Sequence, residues 1–202
     1  MNLINYQYFI INKPDNMVSQ FISTHNVGLL GDLNYNFPDG THAIGRLDNH
    51  SEGLLILTTN KKVTKLLFQG ILPHKRTYLV QVNRVVSQED LFQLRTGVTI
   101  RIKGNLEYIT PPCEVTLVEN PESLCKTWKA VQEYLPTYWL LLTLTEGKFH
   151  QVRKMTGAIR HRCKRLIRIS IEGITLGDLQ PGQVREMNEN DFFQQLNIAN
   201  PM

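Results

Sequence analysis

Cysteine is scarce in this 202-residue chain. The three present, Cys113, Cys125 and Cys163, are odd in number and widely spaced, with neither the paired Cys-x-x-Cys spacing of a zinc site nor the density of a disulfide framework. Free thiols in a reducing compartment are expected. Long apolar runs are also missing. The longest, such as Trp139-Leu140-Leu141-Leu142, fall far short of the ~20 residues of a membrane span, so no membrane association is expected. The start, Met1-Asn2-Leu3-Ile4-Asn5-Tyr6, has no basic region followed by an apolar one, so no secretory signal is read and the default location is cytoplasmic. A glycine-rich phosphate loop, a metal-ligand cluster, internal repeats and low-complexity tracts are likewise lacking, and no cofactor or metal is expected.

What remains is an ordinary globular composition, 42% hydrophobic and 20% charged, long enough for one substantial domain or two lobes around a cleft. Tyr8-Phe9-Ile10-Ile11 is a β-prone run that ends in the turn chemistry of Asn12-Lys13-Pro14-Asp15-Asn16. A second strand, from Gly53 to Thr59, stops at Asn60, a good N-cap for a helix over Lys61 to Gln69 that Gly70 closes. Alternation from Thr77 to Val82 places Tyr78, Val80 and Val82 on one strand face. Ser87-Gln88-Glu89-Asp90 opens a second helix that ends near Gly97. Further strands are read at 98–100, 114–118 and 139–145, a connection with helical character near Trp128 to Glu133, and helical spacing at Val152, Met155 and Ile159. Strands and helices interleaved with hairpin-like turns predict an α+β fold with a mixed, mostly antiparallel sheet and flanking helices. The segment from Asn188 to Met202 is expected to fray.

The net charge of +4 is unevenly placed. Between Glu146 and Arg168 eight bases (Lys148, Arg153, Lys154, Arg160, Arg162, Lys164, Arg165, Arg168) face one acid, a net of +7, so the other 14 bases and 17 acids carry −3. A charge run is commonly a solvated face. Here apolar residues every three or four positions dock the segment on a core and aim its basic side at a definite surface, an arrangement suited to a phosphate backbone.

Gly45-Arg46-Leu47-Asp48 sets a carboxylate directly before the apolar strand of Gly53-Leu54-Leu55-Ile56, where it needs a cation to stay ionised. This stretch resembles the signature of the pseudouridine synthases, in which Gly-Arg-Leu-Asp precedes a Ser/Thr-x-Gly-Leu-Leu strand. Asn12-Lys13-Pro14 resembles that family's N-terminal turn and Lys75-Arg76-Thr77-Tyr78 its Lys-x-Tyr strand. The run from Glu146-Gly147-Lys148 to Gln151-Val152-Arg153-Lys154-Met155 resembles its Glu-Gly-x-x-x-Gln-Val-Arg-x-Met segment, and Arg165-Leu166-Ile167-Arg168 also matches. The pattern is most similar to the RsuA branch, which modifies ribosomal RNA, and within it to the large-subunit synthase E members. Branch members often carry an S4 RNA-binding domain; with Asn12-Lys13-Pro14 so near the start, the chain is expected to be a single catalytic domain without one.

The resemblance implies a pseudouridine synthase core with a central catalytic cleft, no cofactor, ribosomal RNA as partner, and action as a monomer. By position Asp48 is the essential carboxylate, acting on sugar or base. Arg153 is the cation that keeps Asp48 ionised, and Tyr78 lies against the target uracil. Arg46 supports the flipped nucleotide, and Lys13, Lys75, Lys148, His150 and Lys154 are expected to touch phosphates. Leu166 is a candidate apolar wall. The rival expectation is a non-catalytic rRNA-binding or ribosome-assembly factor on the same fold.

Overall fold

The computed structural model describes residues 5–68, 73–126 and 137–200; the expected helix near Trp128 and the Gly70 helix end lie outside them. The strands are β1 (Tyr8–Lys13), β2 (His42–Ile44), β3 (Glu52–Thr58), β4 (Arg76–Val82), β5 (Thr99–Arg101), β6 (Glu107–Ile109), β7 (Glu114–Val118), β8 (Tyr138–Leu144), β9 (Cys163–Ile171), β10 (Ile174–Thr175) and β11 (Val184–Met187). The helices are α1 (Lys62–Phe68), α2 (Gln88–Thr96), α3 (Pro121–Leu124), α4 (Gln151–Ala158) and α5 (Glu189–Gln195). The main sheet runs β11-β1-β3-β9-β4-β8-β7, with β2 on β3 and β10 on β9, while β5 and β6 form a separate hairpin. Among the described residues, every pairing between these strands is antiparallel except β3 with β9. This is the mixed, mostly antiparallel α+β arrangement read from the sequence.

Strand alternation builds two layers on β1 and β3. Tyr8, Ile10, Leu54 and Ile56 pack with Val63 and Leu67 of α1 on one side, and Phe9, Ile11, Leu55 and Leu57 pack with Met17, Leu30 and Leu47 on the other. Beyond β9, Val80, Val82, Leu140 and Leu142 bury against Leu91 and Leu94 of α2 and Val152 and Met155 of α4. Tyr78 packs against both the second and the third of these clusters, so it stands where the two halves of the sheet meet. Helix starts follow local chemistry: Asn60 accepts from the Lys62 N–H at 3.0 Å, and Ser87 and Asp90 form a reciprocal capping box.

The chain end does not fray over its described part. Residues 189–195 form α5, whose Phe192 and Phe193 are buried beside Tyr8. The Tyr8 hydroxyl donates to Glu189 at 2.9 Å and accepts from the Asn60 amide at 3.0 Å. Burying each phenylalanine is worth about 2 kcal/mol, which holds a helix too short to persist alone.

The basic stretch is also built differently from a single helix. After α4 ends at Ala158 the chain turns, and Cys163 to Ile171 continue as β9. Its cations therefore divide between a helix, an exposed turn and an internal strand.

Candidate active site

A cavity of about 660 Å³ opens where these elements converge, lined by 45–49 and Ser51 before β3, Arg76 and Tyr78 of β4, Leu166 and Arg168 of β9, and 147–150 ahead of α4. Asp48 sits on its wall, about one third exposed, and its backbone carbonyl accepts from the Ser51 N–H at 3.0 Å to close a tight turn. His150 Nε2 lies 3.4 Å from Asp48 Oδ1. The His150 backbone is left-handed, with φ 56° and ψ 30°, which swings the chain from loop into α4 and brings the imidazole over the carboxylate. Phe149, 70% exposed, stacks on that ring at 3.8 Å between centroids. Lys154 Nζ lies 5.4 Å over the Phe149 ring, and Lys148 Nζ lies 4.9 Å over the Tyr108 ring.

Glu146, the one acid of the basic stretch, holds this loop in shape. It accepts from the Tyr108 hydroxyl and from the Gln151 amide, both at 2.6 Å, while Gln151 Oε1 accepts from the Lys148 N–H at 2.8 Å.

Arg46, Asp48, Tyr78, Lys148 and His150 thus share one cavity, and Leu166 forms part of its wall. Lys154 does not line the cavity but sits over the lining residue Phe149, and the other three expected site residues lie elsewhere. Arg153 makes no ion pair with Asp48; its guanidinium donates to the His50 carbonyl and lies 3.5 Å from Ser51 Oγ, behind the turn that carries Asp48. A backbone carbonyl facing the first turn of α4 takes up the guanidinium, so Arg153 contacts the turn after Asp48 and not its carboxylate.

Lys13 is fully buried and faces no surface that RNA could touch. Its ammonium donates to the carbonyls of Pro14, Met17 and Asn49 at 2.8, 2.6 and 3.2 Å, tying the N-terminal turn to the residue after Asp48. Burial pushes this ammonium down to about 8, against the pull of Asp15, Glu52 and Asp48. Between that value and the ordinary one near 10.5, the unfolded chain holds the proton and the folded chain does not. The cost of the buried charge is therefore present in full below pH 8 and disappears as pH rises towards 10.5. Denaturant unfolding at pH 7 and pH 10 should accordingly show wild type gaining stability relative to Lys13→Met at the higher pH; a relative loss would contradict the assignment.

Lys75 points away from the cavity, 3.2 Å from Glu114 on the exposed sheet edge. Its neighbour Arg76 lines the cavity instead. The period-2 alternation that puts Tyr78 and Val80 together also puts Arg76 with them, and extending it by one step would have identified this residue. Arg168 is the second cavity residue that sequence reasoning left in the general basic stretch. Its place opposite Tyr78 comes from the β4–β9 register, which no local pattern encodes.

A family profile described as RNA pseudouridylate synthase matches residues 7–158. The chain is similar to a ribosomal large subunit pseudouridine synthase E of Vibrio parahaemolyticus, 36% identical over 93% of this chain and 76% of that one. It is also similar to a protein of the same name in Xanthomonas axonopodis pv. citri, 33% identical over 85% and 89% of the two chains. A crystal structure of a pseudouridylate synthase superposes with a TM-score of 0.77 at 23% identity, over 97% of this chain and 76% of that one, which places the two in one fold.

Proposed function

Because the chain belongs to the RNA pseudouridylate synthase family, we propose that it isomerises one uridine of large-subunit ribosomal RNA to pseudouridine, with Asp48 as the essential carboxylate. One observation carries this reading: Asp48 and Tyr78 line one open cavity with a cationic lining, within a chain alike over most of its length to proteins named large subunit pseudouridine synthase E. A ribosome-assembly factor would need the basic surface but not this constellation, and that reading is not favoured.

The reaction exchanges the C1′–N1 bond of uridine for a C1′–C5 bond, loses the C5 hydrogen to solvent and places a proton on N1. It consumes no redox equivalent and no phosphate energy. A uridine stacked in a helix hides these atoms, so the nucleotide must leave the stack. Arg46, exposed at the cavity wall, supports the displaced strand. Tyr78 lies against the base, and Asp48 acts from the wall. Lys148, His150 and Lys154 meet the backbone at the mouth, and the exposed Phe149 ring offers a surface for a neighbouring base.

Arg160 and Arg162, exposed in the turn after α4 and in no ion pair with a described residue, extend the track. Replacing both with Gln should weaken RNA binding and lower the salt slope of log K by about 0.7 for each phosphate no longer neutralised. The same change at Lys61 and Lys62, exposed at the start of α1, should leave both nearly unchanged, and comparable losses from the two pairs would reduce the basic stretch to a solvated face. Pseudouridine maps of cellular rRNA with and without the gene test the function: one large-subunit position should lose its modification, and identical maps would refute the reading.

A further inference from the structure

The floor of the cavity carries positive charge that the site as described leaves unused. Arg168 is only 4% exposed, yet it lines the cavity. Its Nε donates to the Leu54 carbonyl at 2.7 Å, and this is its one side-chain hydrogen bond among the described residues; Nη2 is buried with no partner. Arg168 stands opposite Tyr78 across the β4–β9 pairing. Arg76 is half-buried two residues before Tyr78 on the same strand, with its guanidinium 5.2 Å from the centre of the Phe68 ring. Burial and the nearby Arg168 charge push Arg76 down from its ordinary value. Neither arginine forms an ion pair with a described residue. Glu172, the carboxylate that acts on Arg76 from a distance, already accepts from the Lys75 N–H and lies 3.5 Å from His74. Asp48 is the one acid among the lining residues, against Arg46, Arg76, Lys148 and Arg168.

A buried guanidinium with a partnerless nitrogen is costly until a negative group arrives. Phosphates are always negative, but they stay on the strand at the mouth, where exposed Arg46 and Lys148 wait. The part of the nucleotide that reaches the floor is the base, which is neutral as bound and negative once detached. We propose that Arg168, with Arg76 beside it, is a catalytic site for the uracil anion, stabilising the base when it leaves the sugar. This deepens the isomerase reading and rests on it.

When C1′–N1 breaks, the bonding pair stays on N1 and spreads to O2 and O4. An uncommitted N–H of Arg168 donates to one of those oxygens. When C5 attacks C1′, that electron density forms the new C–C bond; the C5 proton then leaves to solvent, N1 gains one, and the floor faces a neutral ring again. Interactions that strengthen only as charge develops raise the rate rather than the affinity.

The test uses the full-length protein with rRNA carrying uridine or 5-fluorouridine at the target position, reading single-turnover cleavage of the N-glycosidic bond and RNA affinity. Fluorine makes the departing ring more acidic and less dependent on external stabilisation. Arg168→Gln should slow uridine on the order of 10²-fold, leave Kd within about twofold, and slow 5-fluorouridine roughly tenfold less, with Arg168→Lys recovering part of the loss. Equal slowing of both substrates would reduce Arg168 to a structural role, and lost affinity at unchanged rate would make it a phosphate-binding residue; either overturns the proposal. Should Arg168→Gln fail to fold in a thermal melt, Arg76→Gln, at a half-buried side chain with no hydrogen bond to a described residue, carries the same comparison: a loss larger on uridine supports the floor and an equal loss refutes it. Wild-type conversion of uridine tests the isomerase reading separately, and its absence would remove both.

Discussion

Asp48→Asn should slow pseudouridine formation on the order of 10³-fold or more, while the protein folds and binds RNA almost as wild type does. The two halves of this expectation have separate causes. For stability, the Asp48 side chain is about one third exposed and its one ion-pair contact among the described residues is His150 Nε2 at 3.4 Å, so losing its charge should cost under about 1 kcal/mol. Arg153 holds the turn through the His50 carbonyl and Ser51, and Lys13 holds it through the Asn49 carbonyl, and neither interaction involves the Asp48 side chain. For chemistry, an amide of the same shape can neither accept a proton from the sugar nor attack it. Tritium release from 5-tritiated uridine in RNA, read beside a filter-binding titration and a thermal melt, separates the two. Activity surviving in the variant would remove Asp48 from the reaction, and a large fall in Tm would mean that the carboxylate also holds the turn.

Gly53→Ala should be among the most damaging single-methyl additions at the described glycines. Gly53 has φ +98°, a conformation that side chains rarely adopt. A Cβ there would lie 2.8 Å from the Arg168 backbone nitrogen and closer still to its carbonyl oxygen. Gly53 and Arg168 are partners in the parallel pairing of β3 with β9, and backbone fixed by that pairing cannot give way as a flexible side chain would. The pairing holds together the turn that carries Asp48, five residues before Gly53, and the strand that carries Arg168. Separating the two strands should cost about 3 kcal/mol or more, a fall in Tm of roughly 10 °C for a chain of this size, together with most of the activity. Gly40 is the control. It also has positive φ, +81°, but nothing lies within 4 Å of its added Cβ, so Gly40→Ala should show the conformational cost alone, about 1 kcal/mol. Equal falls in Tm would show that the close approach of Arg168 contributes nothing.

Local chemistry carried most of the architecture. The Asn60 and Ser87 caps, the Gly97 helix end and the Tyr78–Val82 alternation are short-range signals, and each survived folding because nothing in the packing opposed it. Long-range interactions were the hidden part. Lys13 as a phosphate contact is what the resemblance implies, yet three carbonyls of its own turn and of the Asp48 turn point inward and need a donor. Arg153 as a counter-ion is what the resemblance implies, and the His50 carbonyl that captures it lies a hundred residues away in sequence, beyond the reach of a local pattern. The helical spacing of Val152, Met155 and Ile159 was sound for α4, but the cations after it belong to a turn and to β9, where alternation turns Leu166 and Arg168 to the same face as Tyr78. The final segment, with Glu189 and Asp191 and no base, reads as a frayed end. Its apolar stripe, Phe192, Phe193 and Leu196, is fully or nearly fully buried and outweighs the acids around it.

Incubating the purified protein, with nothing added but buffer, with unmodified large-subunit rRNA and reading pseudouridine by nucleoside analysis addresses the proposed reaction most directly. Wild type should form one pseudouridine per RNA molecule at a single position, and Asp48→Asn should form none. No pseudouridine in large-subunit rRNA with wild type, or an equal yield with Asp48→Asn, would contradict the proposed reaction.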